Sequence, residues 1–286
     1  MATNVTVTRR DAPRLAVGWR VLLHMALLFG AIVMILPFIW MLSTSLKQQA
    51  EALRIPPQWI PTNPYWRNYP EVLENIRFGR YFLNTVIVTL GRVVGQLITC
   101  SMAAYAFARL RFPGRDKLFA LYLAALMVPF QVYMIPDFIL MKYLGWLNTY
   151  QAIIVPGVFS AFGIFLLRQS FMKLPRELEE AAVIDGASPP WILWKVVLPL
   201  SLPALAALTI FTFLASWNDL LWPLIVTRTD DMRVLSVGLA LLQGQYQTNW
   251  PWLMAGSVMA TLPVLLVFLF AERYFIEGVA MTGIKG

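Results

Sequence analysis

Four carboxylates fall within nine residues, at Glu177, Glu179, Glu180 and Asp185, interleaved with Ala181, Ala182, Val183 and Ile184 and closed by Gly186. One His and one Cys in 286 residues leave no cluster for a metal site. No G-x-x-x-x-G-K-[ST] phosphate loop, H-E-x-x-H or G-x-S-x-G occurs either. The chemistry left to this stretch is recognition: an apolar ledge ringed by carboxylates, suited to docking on another protein. An amphipathic hairpin lying on lipid is the alternative, but such helices favour Lys and Arg on their polar face, and this one is rich in Glu. Cys100, among Thr99, Ser101 and Ala103, reads as an inert buried thiol. His24 reads as structural or interfacial.

Two further sets have helical spacing. Thr85, Thr89, Arg92, Gln96, Thr99 and Ala103 recur at intervals of four, three, four, three and four; Thr209, Thr212, Ser216 and Asp219 recur at three, four and three. Each set falls on one face of a helix. Within apolar surroundings such stripes serve either interhelical hydrogen bonds or the wall of a hydrated path. Arg92 and Asp219 are intramembrane charges, which usually pair or face water. The sequence leaves open an Arg92–Asp219 ion pair near the outer end of a path, or separate partners for each.

The elements that must carry these residues follow from composition. The chain is 59% hydrophobic, 13% charged and 14% aromatic, with a mean hydropathy of +0.64. Soluble domains average about 25% charged residues, so a soluble enzyme is excluded, and disorder with it. Six segments, 21–42, 81–108, 118–134, 151–167, 201–225 and 253–272, reach the ~20 residues needed to cross a bilayer. They are continuously apolar, as in helices rather than barrel strands. The fold expected is all-α: a polytopic membrane protein of six transmembrane helices with a cytoplasmic hairpin. The first segment follows Arg9, Arg10, Arg14 and Arg20 but outruns a cleavable signal peptide, and reads as an uncleaved span.

Net charge is +8, and its distribution orients the chain. Residues 109–117 hold Arg109, Arg111, Arg115 and Lys117, whereas 135–150 hold Lys142 alone, so the positive-inside rule places both termini in the cytoplasm. The loop 43–80, with five cations, runs against that trend. The organisation expected is an N-tail 1–20, a first helix 21–42, an extracytoplasmic loop 43–80, a transmembrane core 81–275 carrying the loop 174–199, and a C-tail 276–286. Pro129, Pro156 and Pro263 are expected to interrupt their helices. Gly157/Ala161 and Gly256/Ala260 have the small-xxx-small spacing of close helix packing.

The loop 174–199 reads as a helix near Pro175, a left-handed turn at Gly186, a cap at Ser188-Pro189 and a second helix from Pro190 to Leu198 stopped by Pro199. Glu180-Ala181-Ala182, three residues, Gly186, nine residues, then Val196-Val197-Leu198-Pro199 resembles the EAA signature of ABC-importer inner-membrane permeases, with Val196 for Ile. Ala103 to Arg109, Phe112-Pro113-Gly114, Trp217-Asn218-Asp219 and the ending Arg273-Tyr274-Phe275 to Gly283-Ile284-Lys285-Gly286 resemble the maltose- and glycerol-3-phosphate-type carbohydrate branch.

That resemblance implies a permease of the bacterial inner membrane working with a homologous second permease, two cytoplasmic ABC ATPases and an extracytoplasmic solute-binding protein. This chain would bind no cofactor and no nucleic acid; ATP and Mg would be used by the ATPases. Glu179, Glu180, Ala181, Ala182, Asp185, Gly186, Leu198 and Pro199 would couple to the ATPase. Arg92, Gln96, Thr209, Thr212, Ser216, Trp217, Asn218 and Asp219 become candidates for a sugar path, with Trp222 beside them. Trp59, Trp66, Tyr246, Trp250 and Trp252 would face the binding protein or form an interfacial belt. A glycerol-3-phosphate or other polyol or phosphodiester importer is the alternative cargo. A secondary transporter would more often show an internal repeat or proton-relay carboxylates and has no use for an ATPase-docking hairpin, and a membrane-embedded enzyme would need a cluster of His, Asp or Glu at a membrane face, which is absent from the sequence.

Overall fold

The computed structural model describes residues 17–244 and 248–283, with side chains over 18–244 and 248–270. Arg9, Arg10, Arg14, Tyr246 and the side chains of the ending from Arg273 lie outside the described residues. Regular structure among them is helical, apart from one isolated bridge between Gln243 and Thr248. Four helices are long and apolar enough to cross a membrane, Gly18–Ser45, Phe78–Arg109, Tyr150–Lys173 and Trp250–Phe270, and two bent pairs bring the number to six if each is one span.

Phe78–Arg109 is the centre of the molecule. Its 32 residues span about 48 Å at ~1.5 Å per residue, well beyond the ~30 Å of hydrocarbon. Ala161–Lys173 and Leu202–Trp217 pack along it, and Val17–Ser45 packs on the last helix, Trp250–Gly283. The first helix leaves most of its apolar side chains uncovered, with Met34 74% and Phe29 70% exposed. Lipid is the solvent such a face requires, since the helix satisfies its own backbone.

Three expected spans are broken, two of them at the prolines expected to interrupt them, Pro129 and Pro156, and the fifth where no break was expected. The third, 118–134, is Arg115–Ala124 with a 3-10 turn to Met127, a break at Val128–Pro129 and a 100° bend into Phe130–Tyr143. Val128 is extended (φ −87°, ψ 113°) because the following proline disfavours helical geometry there. The fourth, 151–167, is Tyr150–Ile154, a 3-10 turn Val155–Val158 around Pro156, and Ala161–Lys173, whose first turn Ser160 caps from Oγ to the Gly163 N–H at 3.0 Å. The fifth, 201–225, is Leu202–Trp217, an interruption at Asn218–Leu220, and Leu221–Val226. Pro263, by contrast, sits inside an unbroken helix.

The loop 43–80 is itself folded. Lys47 is 1% exposed, donating from Nζ to the Gln58 carbonyl at 2.5 Å and lying 4.3 Å from the Trp40 ring centroid. Burial pushes its ammonium below the usual lysine pKa. Asn68 ties the Ser45 and Lys47 carbonyls, and Arg77 and Arg80 bond Asp231. Three of the five cations that set 43–80 against the charge rule are therefore committed to protein partners.

Candidate functional site

The break in the fourth segment explains the polar stripe on the central helix. Pro156 has no N–H to give the Ala152 carbonyl, and the Trp222 indole Nε1 donates to that carbonyl instead, at 2.8 Å. Arg92 donates from Nε and Nη2 to the Ile153 carbonyl at 3.1 and 2.9 Å. Gln96 Nε2 donates to the Gly157 carbonyl at 2.8 Å, and Thr99 Oγ1 to that of Val158 at 2.5 Å. The stripe thus meets the carbonyls that an irregular backbone would otherwise expose to hydrocarbon. At its N-terminal end, Thr85 accepts the Leu235 N–H at 2.8 Å. Interhelical bonding is what most of the stripe does.

Arg92 also donates from Nη1 to Asp219 Oδ2 at 2.8 Å, with the two side chains 10% and 21% exposed. The separate-partner alternative does not describe this arrangement: the charges pair, although Arg92 has the Ile153 carbonyl as well. Asp219 sits in the break after Trp217, where Oδ1 accepts the Trp222 N–H at 3.4 Å and its carbonyl accepts Ser236 Oγ at 2.6 Å. Gly157 makes room for the cation, since a Cβ there would lie 2.6 Å from Arg92 Nε. Gly157 and Ala161 do not share a helix, so their spacing is not a helix–helix packing motif; Gly256 does permit a close approach, to Leu239.

Thr212 joins this group by donating to Gln96 Oε1 at 2.7 Å. The other candidates on that helix lie elsewhere. Thr209 bonds the Leu205 carbonyl of its own helix and borders an apolar groove with Trp194, Leu198 and Leu202. Trp217 is 6% exposed and donates to the Ala260 carbonyl at 3.1 Å. Asn218 is exposed and turned back to Leu214, while Ser216 is buried. Among the outer aromatics, Trp59, Trp66 and Trp250 are exposed, and Trp252 is anchored to Glu71 at 3.1 Å.

A cleft of about 280 Å³ opens beside the ion pair, lined by Arg92, Gln96, Asp219 and Trp222 together with Phe130, Tyr133 and Asp137. Sequence reasoning missed the last three. The available signal was Asp137, a carboxylate in an otherwise apolar run, but only the 100° bend brings its helix against the stripe.

The hairpin over 174–199 forms as expected in outline. Glu177–Ile184 is helical, and Gly186 takes φ +83°, its N–H bonding the Val183 carbonyl at 3.0 Å while that of Ala187 bonds Ala182 at 2.9 Å. Ser188 makes no side-chain cap, and Pro199 does not stop the second helix. That helix starts at Pro189, widens into a π turn over Leu193–Val197 and runs to Leu200, where an 85° bend at Ser201 leads into Leu202–Trp217. The wider turn fits a proline that cannot donate into an α ladder.

The hairpin is built into the core. Ala182, Ile192, Leu193, Val197 and Leu198 are buried in one cluster with Phe107, Leu167 and Phe171. Glu179 turns inward: Oε1 lies 2.7 Å from Arg109 Nε, with side chains 15% and 6% exposed, and Arg109 also bonds the Phe171 and Leu174 carbonyls at 2.6 and 2.8 Å. Ala181 and Ala182 do not form one outer face, because Ala182 packs inward. Glu180, Ala181, Asp185 and Pro199 are outward, beside Val183, Ile184 and Trp191, which are 59%, 86% and 51% exposed.

A family model described as the binding-protein-dependent transport system inner membrane component matches residues 95–275. The chain is 38% identical to the arabinooligosaccharides transport system permease protein of Halalkalibacterium halodurans, over 97% of its length and 99% of that protein. It is 33% identical to the sn-glycerol-3-phosphate transport system permease protein of Pectobacterium atrosepticum, over 91% and 96%. Among solved structures, it resembles a chain of a bacterial ABC transporter that imports the acidic polysaccharide alginate, with TM-score 0.81 and 28% identity over 92% of this chain and all of that one.

Proposed function

The chain belongs to the binding-protein-dependent transport system inner membrane component family, and on that premise we propose that it is the permease subunit of an ATP-driven sugar importer, taking its cargo from a solute-binding protein. A second permease and two cytoplasmic ATPases complete the assembly, with ATP and Mg bound in the ATPases rather than here. Both termini are cytoplasmic, in keeping with the charge asymmetry of the short loops.

The observation that carries the reading is the hairpin. It presents Glu180, Val183, Ile184 and Trp191 outward, while Ala182, Ile192 and the Glu179–Arg109 pair lock it to the central helix. A surface so fastened transmits force: motion imposed on Ile184 by an ATPase is passed to Arg109 and on into the helix that carries Arg92. Sugar cargo follows from the nearly full-length similarity to an arabinooligosaccharides permease. The similarity to glycerol-3-phosphate permeases supports a phosphorylated polyol as the second reading.

The test is uptake of labelled arabinotriose, lactose and glycerol-3-phosphate by host cells with and without this chain. Uptake of a saccharide that needs both this chain and ATP is expected. Uptake of glycerol-3-phosphate alone would favour the second reading. Uptake that persists without ATP would mean a secondary transporter.

A further inference from the structure

We propose that the cleft beside the Arg92–Asp219 pair is a subsite for a neutral sugar unit, and that Asp137 sets its selectivity against anionic glycans. The inference rests on the importer reading and goes beyond it by naming the class of cargo this surface takes.

The cleft carries three charges, and two cancel. Arg92 is held by Asp219 and by the Ile153 carbonyl. Asp137 has no ion pair or hydrogen bond among the described residues, which leaves the cleft with net negative charge. An unpaired carboxylate in an apolar segment is costly and usually marks a functional position. Nothing in the packing uses this one.

Its surroundings suit a pyranose or furanose ring. Tyr133 and Asp137 lie four residues apart on one helical face, about 5–6 Å between Cβ atoms. Tyr133 is 41% exposed, and its hydroxyl has no hydrogen bond among the described residues. Phe130 fixes the wall behind it, meeting Tyr133 edge-on at 5.3 Å and Trp222 edge-on at 5.9 Å. The Gln96 amide is already engaged by Gly157 and Thr212. The groups left to a ligand include an aromatic face, a phenol and a carboxylate, with the Ser160 hydroxyl and the Phe159 ring also in the lining. The C–H face of a sugar packs on the ring, and its hydroxyls donate to Asp137 in charge-assisted bonds. A uronate or phosphate in the same place would meet Asp137 with no free cation to offset it, and like charges so placed reject the wrong ligand.

The test reads the cleft directly, because the binding protein also selects cargo. In the assembled importer in nanodiscs without binding protein, Tyr133→Cys is labelled with a cationic or an anionic methanethiosulfonate reagent; the native Cys100 is buried. A unit charge at this separation should make the cationic reagent faster by about fivefold or more. Taken relative to the same ratio at a small free thiol, because the attacking thiolate itself favours the cationic reagent, the ratio should fall close to one in Asp137→Asn and invert in Asp137→Lys. With Tyr133 intact, arabinotriose or lactose should slow labelling of Phe159→Cys, which lines the same cleft, and an alginate trisaccharide should not.

An unchanged ratio in Asp137→Asn, protection by the alginate oligomer equal to that by arabinotriose, or no protection by either neutral probe would overturn the assignment. Wild-type uptake of a saccharide together with any of those results leaves the importer reading standing and removes only the cleft. Absence of saccharide uptake by the wild type removes the sugar-importer reading itself.

Discussion

Removing Arg92 perturbs more than one bond. Arg92→Ala strands the Asp219 carboxylate and takes two donors from the Ile153 carbonyl. Breaking a buried ion pair from one side costs ~3–5 kcal/mol. Asp219 is about a fifth exposed and keeps the Trp222 N–H, so roughly 3 kcal/mol is expected, carbonyl included. Asp219→Ala should cost less, roughly 2 kcal/mol, because Arg92 keeps Ile153. At ~2–4 °C per kcal/mol, the first variant should lose about 6–12 °C of Tm, measured in detergent by fluorescence-detected size-exclusion after heating.

The double variant isolates the pair, with a coupling of ~1.5–3 kcal/mol expected. Exchanging the charges (Arg92→Asp with Asp219→Arg) should recover more than either single reversal but not all, because a carboxylate at 92 would face the Ile153 carbonyl. Gly157→Ala supplies an internal check. Its Cβ would lie 2.6 Å from Arg92 Nε, so it should cost ~1–3 kcal/mol by overpacking, and most of that should vanish on an Arg92→Ala background. A coupling near zero, or a Gly157→Ala penalty indifferent to residue 92, would refute the reasoning.

Gly186→Val should insert normally yet abolish uptake, because φ +83° is strained for a β-branched residue; normal uptake would show that the turn does not transmit motion. Glu179→Ala should loosen the hairpin, read as faster amide exchange over Glu177–Ile184 and ATP hydrolysis without transport, whereas Glu180→Ala, on the outer surface, should weaken ATPase association with exchange unchanged. A reporter active only outside the cytoplasm should work when fused within 43–80 or 226–252 and stay silent within 109–117, 174–199 or after Gly286. Activity after Gly286 would require an odd number of spans.

The sequence alone determined the solvent, the helical class and the helix–turn–helix hairpin over 174–199. Those are local properties: continuous apolar runs of spanning length need no fold to be read, and neither does a glycine placed where Glu177–Ile184 must end. Spacing also put Arg92 and Asp219 each on a polar face. It did not say what the faces were for, since hydrogen bonds between helices and a hydrated wall demand the same periodicity.

Tertiary structure decided that question through backbone breaks. Pro129 and Pro156 are visible as residues, but the size of a bend is set by packing on both sides of it, and Pro263 bends nothing. The break around Pro156 leaves carbonyls that Arg92, Gln96, Thr99 and Trp222 satisfy from two other segments. The bend at Pro129 carries Tyr133 and Asp137 to a cleft against Arg92, 41 and 45 positions before them, and Asp219, 86 and 82 positions after them. Glu179 was indistinguishable from Glu180 in the chain, and only the position of Arg109 turned one inward. A helix face is fixed by its own periodicity, whereas the partner it meets depends on the path of the rest of the chain.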